Sequence, residues 1–283
     1  GKDPNEKKMT KPEITPIITN RDVTSPFLVE VQESAVKPIE PVFLDYQKDM
    51  SQLKAKSDIP VLYKQNVAND LFQLIYVFDM GNNHDKALGT AFDYLEYLGT
   101  SDMTPEELKS EFYRLACTFY VSPGNERTYV VLSGLNENMP AAVQLFEKLL
   151  ADAQVNKEAY TNMTSDILKA RSDAKLNQGQ NFSRLMSFAM YGPKSPATNL
   201  LTEAELTNMN PQELVDRIHN QNSYKHRILY YGPSSSKDLL ATINQYHQVP
   251  AALKDIPAGN EYSYLETPVT KVLVAPYDAK QIY

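Results

Sequence analysis

The sequence contains few residues of the kinds that bind metals or form covalent cross-links. It has one cysteine and four histidines among its 283 residues. A single cysteine excludes an intramolecular disulfide, and the apolar neighbours of Cys117 predict a buried, unreactive thiol. No two of His84, His219, His226 and His247 lie three to five residues apart. We therefore predict surface or helix-end histidines and no metal site built from them.

Long hydrophobic runs and clusters of positive charge are also absent. No apolar run approaches the roughly 18 to 20 residues of a membrane-spanning helix, so no span is predicted. The net charge is -7 and the pI is about 5.2, without a cluster of Lys and Arg, so nucleic acid is not an expected partner. Because the chain begins at Gly1 rather than at methionine, we expect it to be part of a longer polypeptide.

Two common catalytic signatures are incomplete. The segment from Gly232 to Lys237 follows a predicted strand, but it lacks the second glycine of a phosphate-binding loop, and Asp238 stands where that loop requires Ser or Thr. Its serines are explained by capping of the next helix. No G-x-S-x-G elbow occurs, so nucleophilic catalysis by a serine is not predicted.

Prolines from Pro4 to Pro41 interrupt the start of the chain. Each proline removes a hydrogen-bond donor and favours extended geometry in the residue before it. Residues 1–57 are therefore predicted to form an extended linker or strap rather than a folded core.

The rest of the chain carries strand and helix signals without regular alternation. Residues 59–63 and 71–78 are predicted to form a hairpin-like pair of strands joined by a turn at residues 66–70, and a helical stretch is predicted from about residue 140 to 176. Capping boxes at Thr104 with Glu107 and at Thr202 with Glu205 predict the starts of two further helices. The further strand signals are 127–135, 226–232 and 270–275. This order favours an α+β fold, with a mostly antiparallel sheet and helices packed on one face.

The segment from Ala87 to Leu108 resembles one repeat of the pitrilysin, insulinase and mitochondrial processing peptidase family of zinc metallopeptidases. The resemblance covers about residues 55–275. Active repeats carry H-x-x-E-H, whose second histidine lies five residues before a Gly-Thr pair, here Gly99-Thr100. Counting back from Gly99 places Thr90, Asp93 and Tyr94 at the His, Glu and His positions.

Thr90 and Tyr94 cannot replace the two imidazoles that hold zinc in such a motif. The third ligand of the family is a glutamate expected near residues 159–164, and that window contains no carboxylate. We therefore expect neither a metal nor a catalytic residue in this chain, and zinc only in the full-length protein. In an active repeat of the family, the side chain at the position that corresponds to Tyr94 faces the peptide chamber. Tyr94 and Tyr97 are therefore candidates for peptide contact.

The resemblance implies a non-catalytic repeat of a long bacterial metallopeptidase. It implies a zinc-free repeat over residues 58–266 and a crossover strand over 267–283 that leads into a following repeat. The chain would help enclose and bind a peptide substrate, with the catalytic half of the same polypeptide or a partner subunit as its partner. The relatives with the greatest resemblance imply the bacterial periplasm or cell envelope.

Two other interpretations remain open from the sequence. The first is a structural or assembly scaffold, like the core subunits of respiratory complexes, which is favoured if the full-length protein lacks an intact zinc motif. The second is an unrelated peptide-binding α+β module, which is favoured if the backbone lacks the order of sheet and helices found in the family.

Overall fold

The structure is a computed structural model that describes residues 13–16, 23–41 and 43–275. The chain divides into two compact units, Gly1–Leu44 and Asp45–Tyr283.

The first unit contains helix α1, Pro26–Glu33. The Ser25 side chain accepts a hydrogen bond from the backbone N–H of Leu28, and Pro26 occupies the first helical position. Ser at the cap and Pro at the first turn both favour the start of a helix. The predicted extended strap is therefore wrong over these residues, because this proline initiates a helix instead of excluding one.

The second unit contains runs of strands and runs of helices along the chain. Its strands and helices are β1 Ser51–Lys54, β2 Pro60–Gln65, β3 Leu71–Phe78, α2 Leu88–Leu95, α3 Pro105–Arg114, β4 Cys117–Pro123, β5 Thr128–Leu135, α4 Met139–Asp152, α5 Lys157–Ala174, α6 Gln178–Tyr191, α7 Glu203–Asn208, α8 Gln212–Asn220, β6 Arg227–Gly232 and α9 Ser236–Tyr246.

The six strands form one sheet in the order β1-β2-β6-β3-β5-β4. Every neighbouring pair is antiparallel except β2 and β6, which run parallel. The prediction of an α+β fold with a mostly antiparallel sheet is confirmed.

The two faces of the sheet differ in burial. On central strand β3, Phe72, Leu74, Tyr76 and Phe78 point to one face and are at most 2% exposed, whereas Leu71 on the other face is 53% exposed. The buried set belongs to a continuous core that includes the apolar sides of α2 and α4. Burial of this alternating row against the helices supplies the main hydrophobic stabilisation of the unit.

The predicted hairpin of β2 and β3 is wrong. The two strands are separated by β6, and the backbone N–H of Asn66, just after β2, donates to the carbonyl of Gly232 at the end of β6. The predicted turn at residues 66–70 does form, with the Asn66 amide donating to Asn69 and Leu71. A turn brings two strands near each other, but it does not prevent a distant strand from entering between them.

The predicted domain boundaries also differ from the structure. The sequence predicts a linker over residues 1–57, whereas β1 lies at Ser51–Lys54 and pairs with β2, so the second unit begins before residue 57. Residues 267–275 belong to no strand, and 276–283 lie outside the described residues. A strand is stable only when it is hydrogen-bonded to a partner, and no described strand pairs with this segment.

The predicted long helix from residue 140 to 176 is two helices, α4 and α5. Ala153 leaves the helical conformation, and the Asn156 side chain accepts from the backbone N–H of Ala159 to begin α5. The break at residues 153–156 places the start of α5 beside α2, the helix on which the sequence predicts the degenerate zinc motif.

Candidate functional site

Helix α2 is anchored in the core by one apolar face. Leu88, Ala91, Phe92, Tyr94 and Leu95 are all buried. Helix α3 begins with the predicted capping box, in which Thr104 accepts from the Glu107 N–H and the Glu107 carboxylate accepts from the Thr104 N–H. These anchors fix in space the three positions at which the sequence predicts a degenerate zinc motif.

The Gly-Thr pair that marks the motif is a tight turn between α2 and α3. The Thr100 N–H donates to the Met103 carbonyl at 2.8 Å. A Cβ atom added to Gly99 would lie 2.3 Å from the Met103 carbonyl oxygen. The glycine is therefore required by a close approach of two backbone segments.

The three positions of the degenerate motif have different environments. Thr90 is half-buried and Asp93 is exposed. Tyr94 is 0% exposed, and its hydroxyl accepts from the Asn156 N–H at 2.9 Å and donates to the Asn156 carbonyl at 2.7 Å. Burial raises the pKa of the Tyr94 hydroxyl. Tyr94 thus fills the core and ties α2 to the start of α5, so it does not face a chamber as the sequence led us to expect.

Aromatic packing also occupies the region of the expected third zinc ligand. Tyr160 lies within the window 159–164, and its ring packs edge-on against the Tyr94 ring with centroids 5.7 Å apart. Residues 159–164 are therefore next to the degenerate motif, as the family resemblance implies. The pair of tyrosines fills this space with ring carbons and backbone-bonded hydroxyls, which do not fit a zinc ion.

A cleft of about 300 Å³ opens beside these tyrosines. We call it the acidic cleft; its charged and aromatic lining residues are Glu96, Tyr97, Glu106, Lys109, Glu158 and Asp166. Tyr97 is 47% exposed, in contrast to Tyr94. Of the two tyrosines named from the sequence, Tyr97 is the one whose ring is accessible to a ligand.

A second, more apolar groove of about 390 Å³ runs between α2, α3 and β4. We call it the edge groove; its lining includes Phe92, Leu95, Phe112, Tyr113, Cys117 and Phe119. Strand β4 is at the edge of the sheet and pairs only with β5 among the described strands. Cys117 is buried, as predicted, and burial raises the pKa of its thiol. The thiol is therefore poorly suited to act as a nucleophile.

Two histidines form a buried network that the sequence spacing did not indicate. His226 and His247 are 7% and 0% exposed. The prediction of a surface or helix-end position is wrong for His226, whereas His247 does lie at a helix end, as the C-cap of α9. Their Nε2 atoms are 2.8 Å apart, and His247 Nδ1 lies 2.7 Å from a carboxylate oxygen of buried Glu147. No local pattern connects these residues, because Glu147 is on α4 while the histidines flank β6 and α9.

The hydrogen bonds of His226 indicate its tautomer. His226 Nδ1 lies 2.7 Å from the Tyr224 carbonyl, which can only accept, so this nitrogen carries a proton. A neutral His226 then accepts at Nε2 from His247. Burial, followed by the nearby His247, lowers the pKa of His226 to about 4.

Neither a metal-binding cluster nor a membrane-spanning helix is found in the part of the chain that the structure describes. Across residues 13–16, 23–41 and 43–275, no three His, Cys, Asp or Glu side chains are grouped to hold an ion. No helix in the same ranges is both long and apolar enough to cross a bilayer.

No family model and no curated protein matches the chain. Solved structures do match. The periplasmic protease PqqL from Escherichia coli aligns over 86% of this chain with a TM-score of 0.67 and 13% identity. A peptidase M16 inactive domain from Pseudomonas fluorescens aligns over 76% of this chain with a TM-score of 0.63 and 17% identity. The chain has an M16 peptidase fold. The family resemblance inferred from Gly99-Thr100 and its surroundings is thereby confirmed at the level of the fold.

The M16 fold of this chain accounts for part of each larger protein. The chain covers 30% of PqqL and 54% of the inactive domain. It covers 27% of the ferredoxin protease FusC, solved with Arabidopsis ferredoxin, which aligns over 82% of this chain with a TM-score of 0.65 and 13% identity. The chain therefore spans about a quarter to a half of the length of these matching structures.

Proposed function

We propose that this chain is a zinc-free repeat in the non-catalytic half of an M16 metallopeptidase, where it helps to enclose and bind a peptide substrate. The observation that carries the proposal is the Tyr94 hydroxyl, which is bonded to the Asn156 backbone at the position of a zinc-binding histidine. An M16 fold is retained while the chemistry of the metal site is replaced by packing.

The edge groove and the acidic cleft supply the surfaces for a peptide. An edge strand offers unpaired backbone N–H and C=O groups, to which an extended peptide can add as a further strand. The apolar side chains beside β4, such as Phe112 and Tyr113, can receive alternate side chains of that peptide. Tyr97 and the carboxylates of the acidic cleft, including Glu158 and Asp166, favour a peptide segment with a positive charge there.

Zinc and bond cleavage belong, in this proposal, to the other half of the polypeptide or to a partner subunit. The test compares the 283-residue chain with the full-length protein, by zinc content from mass spectrometry and by cleavage of a quenched fluorescent peptide. We expect the chain to be free of zinc and inactive, and the full-length protein to cleave the peptide and lose activity with a chelator.

A control separates an inactive repeat from a misfolded one: the circular dichroism spectrum of the chain must show the helices and strands of the fold. Stoichiometric zinc in the folded chain, or cleavage by that chain alone, would disprove the proposal. A full-length protein that contains no zinc and cleaves nothing would favour a scaffold role instead.

A further inference from the structure

A cleft of about 740 Å³ lies between α5, α6 and the segment 195–203, on the part of α5 that follows the acidic cleft. We call it the basic cleft; the lining residues that matter here are Leu168, Arg171, Lys175, Arg184, Phe188 and Glu203. It is larger than the acidic cleft and the edge groove.

The charge of the basic cleft is opposite to that of the molecule. The chain has a net charge of -7, but three cations and one carboxylate line this cleft. None of the ion pairs among the described residues involves Lys175 or Arg184. Arg171 donates to the Leu201 carbonyl at 2.6 Å, which holds its guanidinium at the wall. A local excess of positive charge in a concave site attracts an anionic group.

The cations and the apolar side chains occupy different parts of the lining. Along α5, Leu168, Arg171 and Lys175 follow one another at helical spacing, so they share one face. Along α6, Arg184 and Phe188 are one turn apart. On both helices the cations are closer in sequence to the α5–α6 connection than the apolar residues are. The cleft therefore offers positive charge toward the connection and an apolar surface away from it.

The helix dipole explains only part of this arrangement. Lys175 and Arg171 are at the C-terminal end of α5, where positive charges are favoured without any ligand. Arg184 is in the middle of α6, so the dipole does not account for it. The volume and the apolar residues also exceed what a simple inorganic anion needs.

We propose that the basic cleft binds an acidic segment of a peptide, with a Glu or Asp carboxylate at Lys175 and Arg184 and a neighbouring apolar side chain against Leu168 and Phe188. This inference rests on the proposed peptide-binding function and names a substrate class for it. Nucleic acid is a poorer fit, because three cations beside an apolar surface do not follow a phosphate backbone.

The test uses fluorescence anisotropy with the folded 283-residue chain and two labelled peptides of equal length, one alternating Glu and Leu and the other alternating Gln and Leu. The variant is Lys175→Gln with Arg184→Gln. The matched control is Lys169→Gln with Lys237→Gln, which removes the same charge from two exposed helical positions outside the cleft.

We expect the Glu/Leu peptide to bind more tightly than the Gln/Leu peptide, and its affinity to fall roughly tenfold in the variant and to remain unchanged in the control. The difference should shrink as salt is added, because exposed charges are screened.

Three outcomes would overturn the inference. If both peptides bind equally well to all forms of the chain, the peptide-binding function stands and the basic cleft is not the site. If inorganic phosphate displaces the Glu/Leu peptide at the concentration at which the phosphate itself saturates the chain, the cleft recognises charge alone. If neither peptide binds, the inference fails, and cleavage by the full-length protein then decides separately whether the proposed function fails with it.

Discussion

Tyr94 joins two helices through its side-chain hydroxyl. Its hydroxyl makes two hydrogen bonds with the same residue, Asn156, as acceptor from the N–H and as donor to the carbonyl. Both partners are backbone groups at the start of α5, so the bonds fix the distance between α2 and α5.

Tyr94→Phe should lower the free energy of unfolding by about 1 to 2 kcal/mol, because it removes both hydrogen bonds of the buried hydroxyl and leaves the Asn156 N–H without this partner, while the Asn156 carbonyl still accepts from the Tyr160 N–H. Urea unfolding followed by circular dichroism measures this loss. Tyr97→Phe removes the same atom from a ring that is 47% exposed, and it should change stability little. Equal stability of the two variants would show that the Tyr94 hydroxyl does not hold α2 against α5.

At the scale of helices and strands, the fold depends on a few positions where two backbone segments approach each other closely. The turn between α2 and α3 brings Gly99 against the Met103 carbonyl, and the Gln154 N–H donates to the Gly99 carbonyl from the end of α4. Three helices therefore meet at one residue. A side chain at this position would push apart the elements that carry the degenerate motif.

Gly99→Ala should destabilise the protein by about 1 to 3 kcal/mol, because a methyl group there would overlap a backbone oxygen that cannot move alone. Gly179→Ala on α6 is the matched comparison: the nearest atom to its added Cβ is 3.5 Å away, and alanine favours a helix. Thermal unfolding of both variants distinguishes them. A Gly99→Ala protein as stable as the wild type would mean that the turn relaxes at little cost.

The capping boxes and the strand order illustrate what could be predicted at this scale. The boxes at Thr104 with Glu107 and at Thr202 with Glu205 were predicted from residues three apart, and both form. The hairpin of β2 and β3 was predicted from equally local signals and does not form. A cap is complete within one helical turn, whereas a strand pair depends on whether a distant segment such as β6 fits better.

At the scale of the whole molecule, acid stability should depend on the buried Glu147, His247 and His226 network. The folded-state pKa of His226 is about 4, below its ordinary value of 6.5. Between these values the unfolded chain binds more protons than the folded chain, so stability falls as the pH is lowered through this window. A second proton on His226 would place two N–H groups against each other at the contact with His247.

Acidification from pH 6.5 to about 4 should therefore cost on the order of 3 kcal/mol of stability. Urea midpoints measured across this window test the loss, and NMR titration of the His226 ring identifies its source. Glu205, whose pKa is lowered to about 2 from 4.5, begins to lose its stabilising effect only near the acid end of this window, and most of that loss comes below pH 4. Flat midpoints over the window, or a His226 ring that titrates near its ordinary pKa, would contradict this account.

The sequence by itself determined the features that are local. The prediction of a degenerate zinc motif at Thr90, Asp93 and Tyr94 rests on residues within about one turn of a helix, and the caps follow from equally local residues. Only the tertiary structure decided that the buried Tyr94 hydroxyl is hydrogen-bonded to Asn156 and that β6 separates β2 from β3. It also decided that His226 contacts His247, which contacts Glu147. These contacts join residues far apart in the chain, whose proximity depends on the packing of the whole core rather than on any pattern of neighbouring residues.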